Sequence, residues 1–499
     1  MKPARDQASH MISVRGYRVS PAYVIGVAAI LLQLCYVALL KPLLLGDGPY
    51  YLIMQQAWIS TGTPVISQSI VDRVAAVYKL YQEIPLPPGG LFYTLSPGRW
   101  IGFHHPFYSL FTVPFAWLFG GTPNGTLHSF SAFNLLCSML AIIVLLRSRL
   151  TEVQKIFIGI CFVTSTTFYI RWPHPEVYTA ALLLIGIVFW LEGRIAPALA
   201  CLALSSWQNP SAIFASVILL HSVSPIEALR KHVPALSLFI ALSLVPYFYT
   251  YALTAKWSVI GSSGFIDYQQ ISINKWISLV FDLNQGMIIL LVPVLVAAII
   301  SLLSGGRRED GALKKSGWLL AAFVAISIPV LAQINWNSGQ YLVLRYVVWL
   351  IVPVYMAVAV ILSERSVASC AAVAALYLAL LSWVGYELGI NRGSLNELQN
   401  RPWVRISTVL KYYDPLPEIF VPRAVGHQVS DHELQTLLPV MVRPDDRTFS
   451  KILGREEGLS KYLLDLCSLP QTPMVLRQSP APSASGGSSD LQYFVVSGC

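Results

Sequence analysis

Residues 21–51 read PAYVIGVAAILLQLCYVALLKPLLLGDGPYY, an apolar run from Pro21 to Leu45 that breaks at Gly46-Asp47-Gly48-Pro49. The run exceeds the roughly 20 residues that a straight transmembrane helix needs. It is also too long for a signal-peptide core and has no small-residue cleavage site, so it reads as a retained span. A basic tail, residues 1–20 with Lys2, Arg5, Arg15 and Arg18, precedes it. Asp47 is the first acid after the run and falls at the membrane surface. Glycine and proline beside it break the helix, which lets a carboxylate point into a cavity instead of along a helix face.

The rest of the chain has the same character. Of its 499 residues 55% are hydrophobic and 12% charged, whereas soluble domains carry about 25% charged residues. This is a polytopic membrane protein, expected to be all-α because bilayer-spanning backbone must satisfy its own hydrogen bonds. The net charge of +9 fits basic cytoplasmic loops better than nucleic-acid binding. Cys35, Cys137, Cys161, Cys201 and Cys370 fall in apolar runs and read as small core residues. Cys467 and Cys499 lie in the polar tail, where an oxidising compartment permits a disulfide. No metal-ligand spacing occurs among the cysteines.

Apolar runs predict about eleven spans, near 21–45, 127–147, 156–170, 176–192, 195–207, 210–221, 233–255, 286–303, 318–334, 342–362 and 367–386. The pair around Gln208-Asn209-Pro210 is short enough for a buried hairpin. Charge decides how to treat His104–Phe119, a short run holding Pro106 and Pro114. If it does not cross, Arg147, Arg149, Lys155, Arg194, Arg230, Lys231, Arg307, Arg308, Lys314, Lys315 and Arg365 all join the basic N-terminus on the cytoplasmic side. Residues 104–119 are therefore expected as a re-entrant or interfacial helix within a large first external loop, 46–126. The membrane domain then covers 21–386 and a small external domain 387–499. Within the tail, 479–489 (SPAPSASGGSS) reads as flexible.

Ionisable residues at the outer boundary are few: Asp47, His104, His105, Arg171, His174, Glu176, Asp267, Asp282 and Arg345. Such groups at membrane depth are costly and are usually paired or functional. Structural roles compete for each. Asp47 suits a helix boundary, Glu176 a helix N-terminus where a carboxylate meets the dipole, and Arg345 snorkelling to headgroups. His104 and His105 suit interfacial hydrogen bonding.

The order of short elements adds to this. A span ends in Gly-Asp-Gly-Pro-Tyr-Tyr, and a long outer loop follows with His-Pro-Phe-Tyr. After two further spans comes a short outer loop with Pro-Glu-Val-Tyr. Later come Asn284-Gln285-Gly286 and a Gly-Gln-Tyr…Leu-Arg-Tyr…Val-Pro element. Over 21–386 the chain resembles the GT-C superfamily of integral membrane glycosyltransferases, which includes protein O-mannosyltransferases, aminoarabinose transferases of lipid A and oligosaccharyltransferases. It departs from that pattern in having a single first-loop acid, and glutamate at 176 where many members have aspartate. The 387–499 tail is outside the resemblance.

The resemblance implies a GT-C-like bundle that transfers a sugar from a polyprenyl-phosphate donor to an envelope glycan, lipid or protein. Asp47 would be the catalytic base, with Glu176 orienting the acceptor or supporting it. Arg345 and Arg171 would bind the donor phosphate. Tyr50, Tyr51, His104, His105, Trp172, His174, Gln340 and Tyr341 would contact substrate. No cofactor is implied, and a divalent metal has no support in the sequence. The implied site is the outer face of a bacterial inner membrane, with the N-terminus cytoplasmic and the C-terminus periplasmic. The alternatives are a transporter or flippase of a lipid-linked sugar, or a polysaccharide polymerase or ligase. The first wants charges near mid-span, the second a large late loop; here charges cluster at span ends and the large loop is early.

Overall fold

The computed structural model describes residues 12–14, 17–44, 46–79, 92–120, 123–223, 232–303, 311–333, 336–337, 344–362, 370, 373–377, 379, 404, 407–425, 436–443, 449–456, 474–482 and 490–497. Gln340, Tyr341, Cys467, Cys499 and most of the expected 367–386 span lie outside them. The chain divides into two compact units. One comprises Met1–Ile266, Pro293–Ser327 and Val348–Tyr377; the other comprises Asp267–Val292, Ile328–Val347 and Leu378–Cys499.

The first unit opens with a short antiparallel hairpin, β1 (Ile12–Val14) and β2 (Tyr17–Val19), followed by α1 (Pro21–Leu39). The helix stops well before Leu45. Pro42 disfavours helical backbone in the residue before it, and Leu40 is already extended at φ −117°. Leu31 and Leu32 on α1 are more than half exposed, as expected of a lipid-facing surface. Its one buried amide, Gln33, is satisfied by Ser138, which donates to it at 2.8 Å, and by Thr167, which accepts at 3.2 Å.

The first loop folds as α2 (Gly48–Thr61), β3 (Ile66–Ser67), α3 (Gln68–Lys79), β4 (Phe92–Ser96), β5 (Arg99–Gly102) and α4 (Phe107–Leu118). The strands pair in the order β3-β5-β4. At 12 residues, α4 is about 18 Å long, well short of the roughly 30 Å hydrocarbon core. Next come α5 (Pro123–Arg147), α6 (Glu152–Thr166), α7 (Glu176–Leu191), α8 (Ile195–Ser206), α9 (Ile213–Val223) and α10 (Val233–Thr254). The α6 start precedes the expected 156 because Thr151 and Gln154 form a reciprocal capping box. Helix α7 packs on α5 and α8, α8 on α10, and α1 on α5 and α6. A core of Tyr51, Leu52, Ile53, Tyr108, Phe130, Phe133 and Tyr178 joins the loop helices to α5 and α7.

The second unit contains α11 (Ile273–Phe281), and the two helices after it are α12 (Ile288–Leu303) and α13 (Ala312–Leu331). The expected 342–362 span starts only at α14 (Val347–Leu350), with α15 (Val352–Ile361) beyond Ile351. Helix α15 packs on α6 and α7 within the first unit. Among the described residues four helices are long and apolar enough to cross a bilayer, namely α1, Gly125–Arg147 within α5, α10 and α13. With the composition, they make the chain an integral membrane protein.

The all-helical expectation fails in the tail as well as in the first loop. After α16 (Ser407–Tyr412) and α17 (Pro417–Val425), strands β6 (Val440–Val442), β7 (Ser450–Arg455), β8 (Met474–Pro480) and β9 (Leu491–Ser497) form an antiparallel sheet ordered β6-β7-β9-β8. Runs such as LQYFVVS favour strands through their aromatic and β-branched residues. Leu410, Phe420 and Val421 pack with Leu453, Tyr493 and Val495 to form the core. Asp414 pairs with the buried Lys451 at 2.6 Å, with Arg477, and with Ser479, which donates at 2.9 Å. Burial alone would raise the Asp414 pKa; Arg477 and Lys451 outweigh it and hold the carboxyl below its ordinary value. Ser479 and Pro480, expected in a flexible segment, thus belong to β8.

Candidate active site

Asp47 stands at the N-cap of α2, and its carbonyl accepts from the Tyr50 and Tyr51 amides. Its carboxylate makes no capping bond, so the acid does not serve the helix boundary in the usual side-chain manner. Instead Oδ2 lies 3.4 Å from His104 Nε2, with 15% of the Asp47 side chain exposed and 19% of the His104 side chain. A partly wet carboxylate beside an imidazole can accept a proton from a neighbouring hydroxyl.

Polar contacts between buried helices bring these two residues together. Gln55 of α2 donates to Thr112 of α4 and Ser129 of α5, both at 2.7 Å. Ser109 of α4 donates to the Tyr51 carbonyl at 2.9 Å, and Trp58 donates to the Pro106 carbonyl at 3.2 Å. The segment just before α4 is thereby held against the start of α2, which puts His104 opposite Asp47. Tyr51 stacks on His104 at 5.4 Å between ring centroids, with the planes 26° apart.

The loop between α6 and α7 packs onto the same place. The Leu43 amide donates to the Arg171 carbonyl at 2.9 Å, and the Arg171 guanidinium donates to the Lys41 carbonyl at 2.7 Å. Gly46 takes the left-handed φ of +55°, which suits glycine. Gly48 is close enough to Pro173 that a Cβ on it would sit 2.8 Å from the proline Cγ. Asn134 of α5 holds this loop from below. It donates to the carbonyls of Ile170 at 3.3 Å and Trp172 at 3.1 Å, and accepts from the Tyr108 hydroxyl at 3.1 Å.

Beneath Asp47 lies a buried layer. Trp172, 2% exposed, stacks on Tyr169 and meets His174 at 4.1 Å between centroids. The His174 ring lies edge-on to Tyr51 at 5.5 Å, and its Nδ1 is 4.0 Å from Glu176 Oε1. Glu176 is the first residue of α7, where the helix dipole favours a carboxylate. Asn209 also reaches it at 3.4 Å while bonding Thr179 at 2.7 Å. Gln208 donates to the Tyr51 hydroxyl at 3.3 Å. The chain of contacts runs Asp47–His104–Tyr51–His174–Glu176, with its exposed end at Asp47.

The remaining expected residues of this unit lie to the sides. Tyr50 is buried edge-on against Phe92. His105 faces Tyr247 and lies 3.5 Å from the Thr250 hydroxyl. Burial, with the neighbouring His104 charge, lowers the His105 pKa to about 4. The Arg171 guanidinium sits over the Tyr36 ring at 4.6 Å. Sequence reasoning treated Gln208 and Asn209 only as a turn and passed over Asn134. The signal was there: lone amides interrupting apolar runs, each costly in a membrane unless bonded.

Arg345 belongs to the second unit. It lies in the turn before α14, not one turn inside a span, and is 5% exposed. Its guanidinium donates to the Tyr346 hydroxyl at 2.8 Å, and that hydroxyl donates to Gln333 at 2.6 Å. A side chain so buried does not snorkel to headgroups. Among the described residues no cluster of three or more His, Cys, Asp or Glu is placed to hold a metal ion.

No protein-family model matches the chain. No curated protein matches it either. Among solved structures it is similar to ArnT from Cupriavidus metallidurans bound to undecaprenyl phosphate, at 11% identity and a TM-score of 0.43, over 96% of this chain and 97% of that one. It is also similar to the same protein in the apo state, at 13% identity and a TM-score of 0.39, over 96% and 98% of the two chains.

Proposed function

We propose that the chain is a membrane glycosyltransferase that moves a sugar from a polyprenyl-phosphate donor to a hydroxyl acceptor of the cell envelope. The observation that carries this is the Asp47 carboxylate, unspent on helix capping, partly exposed and set 3.4 Å from His104. In the reaction the acceptor oxygen attacks the anomeric carbon while the bond from that carbon to the phosphate oxygen breaks. The acceptor proton passes to Asp47, and the polyprenyl phosphate leaves as an anion. His104 donates to the carboxylate and fixes its direction. Glu176 holds His174 and the 171–176 loop in place. The leaving phosphate falls to Arg345 or to Arg171, since a guanidinium suits phosphate oxygens through paired N–H groups. Attack opposite the leaving group inverts the anomeric centre.

The placement of basic loops supports a cytoplasmic N-terminus, a periplasmic C-terminus and about eleven spans, with Asp47 on the outer face of a bacterial inner membrane. The acceptor is an envelope glycan, lipid or protein. The deciding experiment is deletion of the gene, followed by mass spectrometry of envelope glycans, lipids and glycoproteins for a missing sugar. The intact gene should restore that sugar and the Asp47→Asn gene should not. Full restoration by Asp47→Asn removes Asp47 as the base, and an unchanged envelope after deletion removes the activity.

A further inference from the structure

We propose that Asn284 is a binding residue for the donor phosphate, its amide presented by a turn that the C-terminal segment fastens. This rests on the reading of the chain as a polyprenyl-phosphate-dependent transferase. Asn284 is wholly buried, and neither its side-chain oxygen nor its nitrogen has a hydrogen-bond partner among the described residues. Folded proteins rarely leave a buried amide unmet on both sides, and each exception calls for an explanation, a functional role among them.

Poor local geometry does not explain the unmet amide, because the turn that carries it is strongly bonded. Asp282 Oδ1 accepts from the backbone amides of Asn284 at 2.8 Å and Gln285 at 2.9 Å. Its other oxygen accepts from the Tyr413 hydroxyl at 2.6 Å. The Gly286 amide donates to the Asp282 carbonyl at 2.8 Å. The Asp282 carboxyl is thus fully engaged by the turn and by the tail. Burial raises its pKa against these hydrogen bonds.

The turn is tied to the segment that bears Arg345. The Leu344 amide donates to the Gln285 carbonyl at 2.9 Å, so the residue after Asn284 is bonded to the residue before Arg345. The tail secures the approach to Arg345 too: Arg423 donates to the Asn337 carbonyl at 3.0 Å, and Asn337 donates to the Glu418 carbonyl at 2.7 Å. A carboxamide N–H and a guanidinium from neighbouring segments form a donor set suited to phosphate oxygens. Tyr413 acts as a positioning residue that sets the turn without touching the ligand.

The test uses the purified full-length chain in detergent micelles, with farnesyl phosphate as the probe. Asn284→Leu keeps the volume and removes the amide. The expected result is an affinity about tenfold weaker, with a ligand-free melting temperature equal to or above that of the wild type. Asn284→Ala should show the same loss of affinity, which guards against misfolding of the first variant. Tyr413→Phe should weaken probe affinity by a few-fold. Unchanged affinity in both Asn284 variants overturns the proposal, as does a lower ligand-free melting temperature in Asn284→Leu, which would reveal a structural partner. Loss of binding in Arg345→Ala but not in either Asn284 variant overturns this inference alone. A wild-type chain that does not bind the probe overturns the donor reading beneath it.

Discussion

His104 Nε2 lies 3.4 Å from Asp47 Oδ2, and the imidazole is stacked on Tyr51 at 5.4 Å. The ring cannot swing freely, so the direction from which it meets the carboxylate is fixed. The two residues then do different work, and substitution should separate them. Asp47→Asn should lower the turnover number by at least about 100-fold, the scale of a lost general base. His104→Gln retains an N–H donor near the acid and should cost about tenfold, with His104→Ala costing more. Single-turnover assays on purified protein measure both. Equal losses in Asp47→Asn and His104→Gln would make His104 the proton acceptor.

Glu176 is buried with His174, their side chains 3% and 1% exposed, and also meets Asn209. Removing the acid takes a buried acceptor from His174 and Asn209 at once. Glu176→Ala should destabilise the chain by about 3 kcal/mol, whereas Glu176→Gln, which keeps shape and one acceptor, should cost about 1 kcal/mol. Thermal melts in detergent distinguish the two. A stable, inactive Glu176→Ala protein would instead give this acid a direct chemical role.

Arg345 should show the limits of charge without shape. Its planar fork suits phosphate, and lysine supplies only a point charge. Arg345→Ala and Arg345→Lys should both raise the donor KM, by about 100-fold and about tenfold respectively. An unchanged donor KM in both would give Arg345 a structural role through its bond to the Tyr346 hydroxyl.

His105 predicts how stability depends on acidity. Its pKa is about 4 in the folded chain and about 6.5 when unfolded. Between these values the unfolded state binds the extra proton, so stability is intact above pH 6.5 and is lost as pH falls toward 4. The loss should be about 3 kcal/mol by pH 4. Comparing melts of wild type and His105→Gln across pH 4 to 7 isolates it, because the glutamine variant lacks that slope. Parallel curves would mean that His105 titrates normally.

The sequence made some features plain and concealed others, for physical reasons. Hairpin helices α8 and α9 were visible because Gln208-Asn209-Pro210 interrupts two apolar runs. The end of α1 was misplaced at Leu45, because the apolar Leu43–Leu45 beyond Lys41-Pro42 obscured the stop after Leu39. The tail sheet was hidden because β7 and β9 are buried on both faces. They lack the alternation that marks a half-exposed strand. At the site, Asp47, His104, His174 and Glu176 stood out as rare ionisable groups at a boundary. Asn134 did not, and Asn209 was visible only as part of a turn, since only the fold reveals which groups a neutral amide meets.

Gly48 and Pro173 make van der Waals seating, not charge, the gauge of the gap between the loop at 46–48 and the loop at 171–175. One methyl group is enough to wedge them apart. Distance between the loops is therefore open to graded control: Gly48→Ala and Gly48→Val act as shims of increasing thickness that leave every acid and base in the chain chemically unchanged.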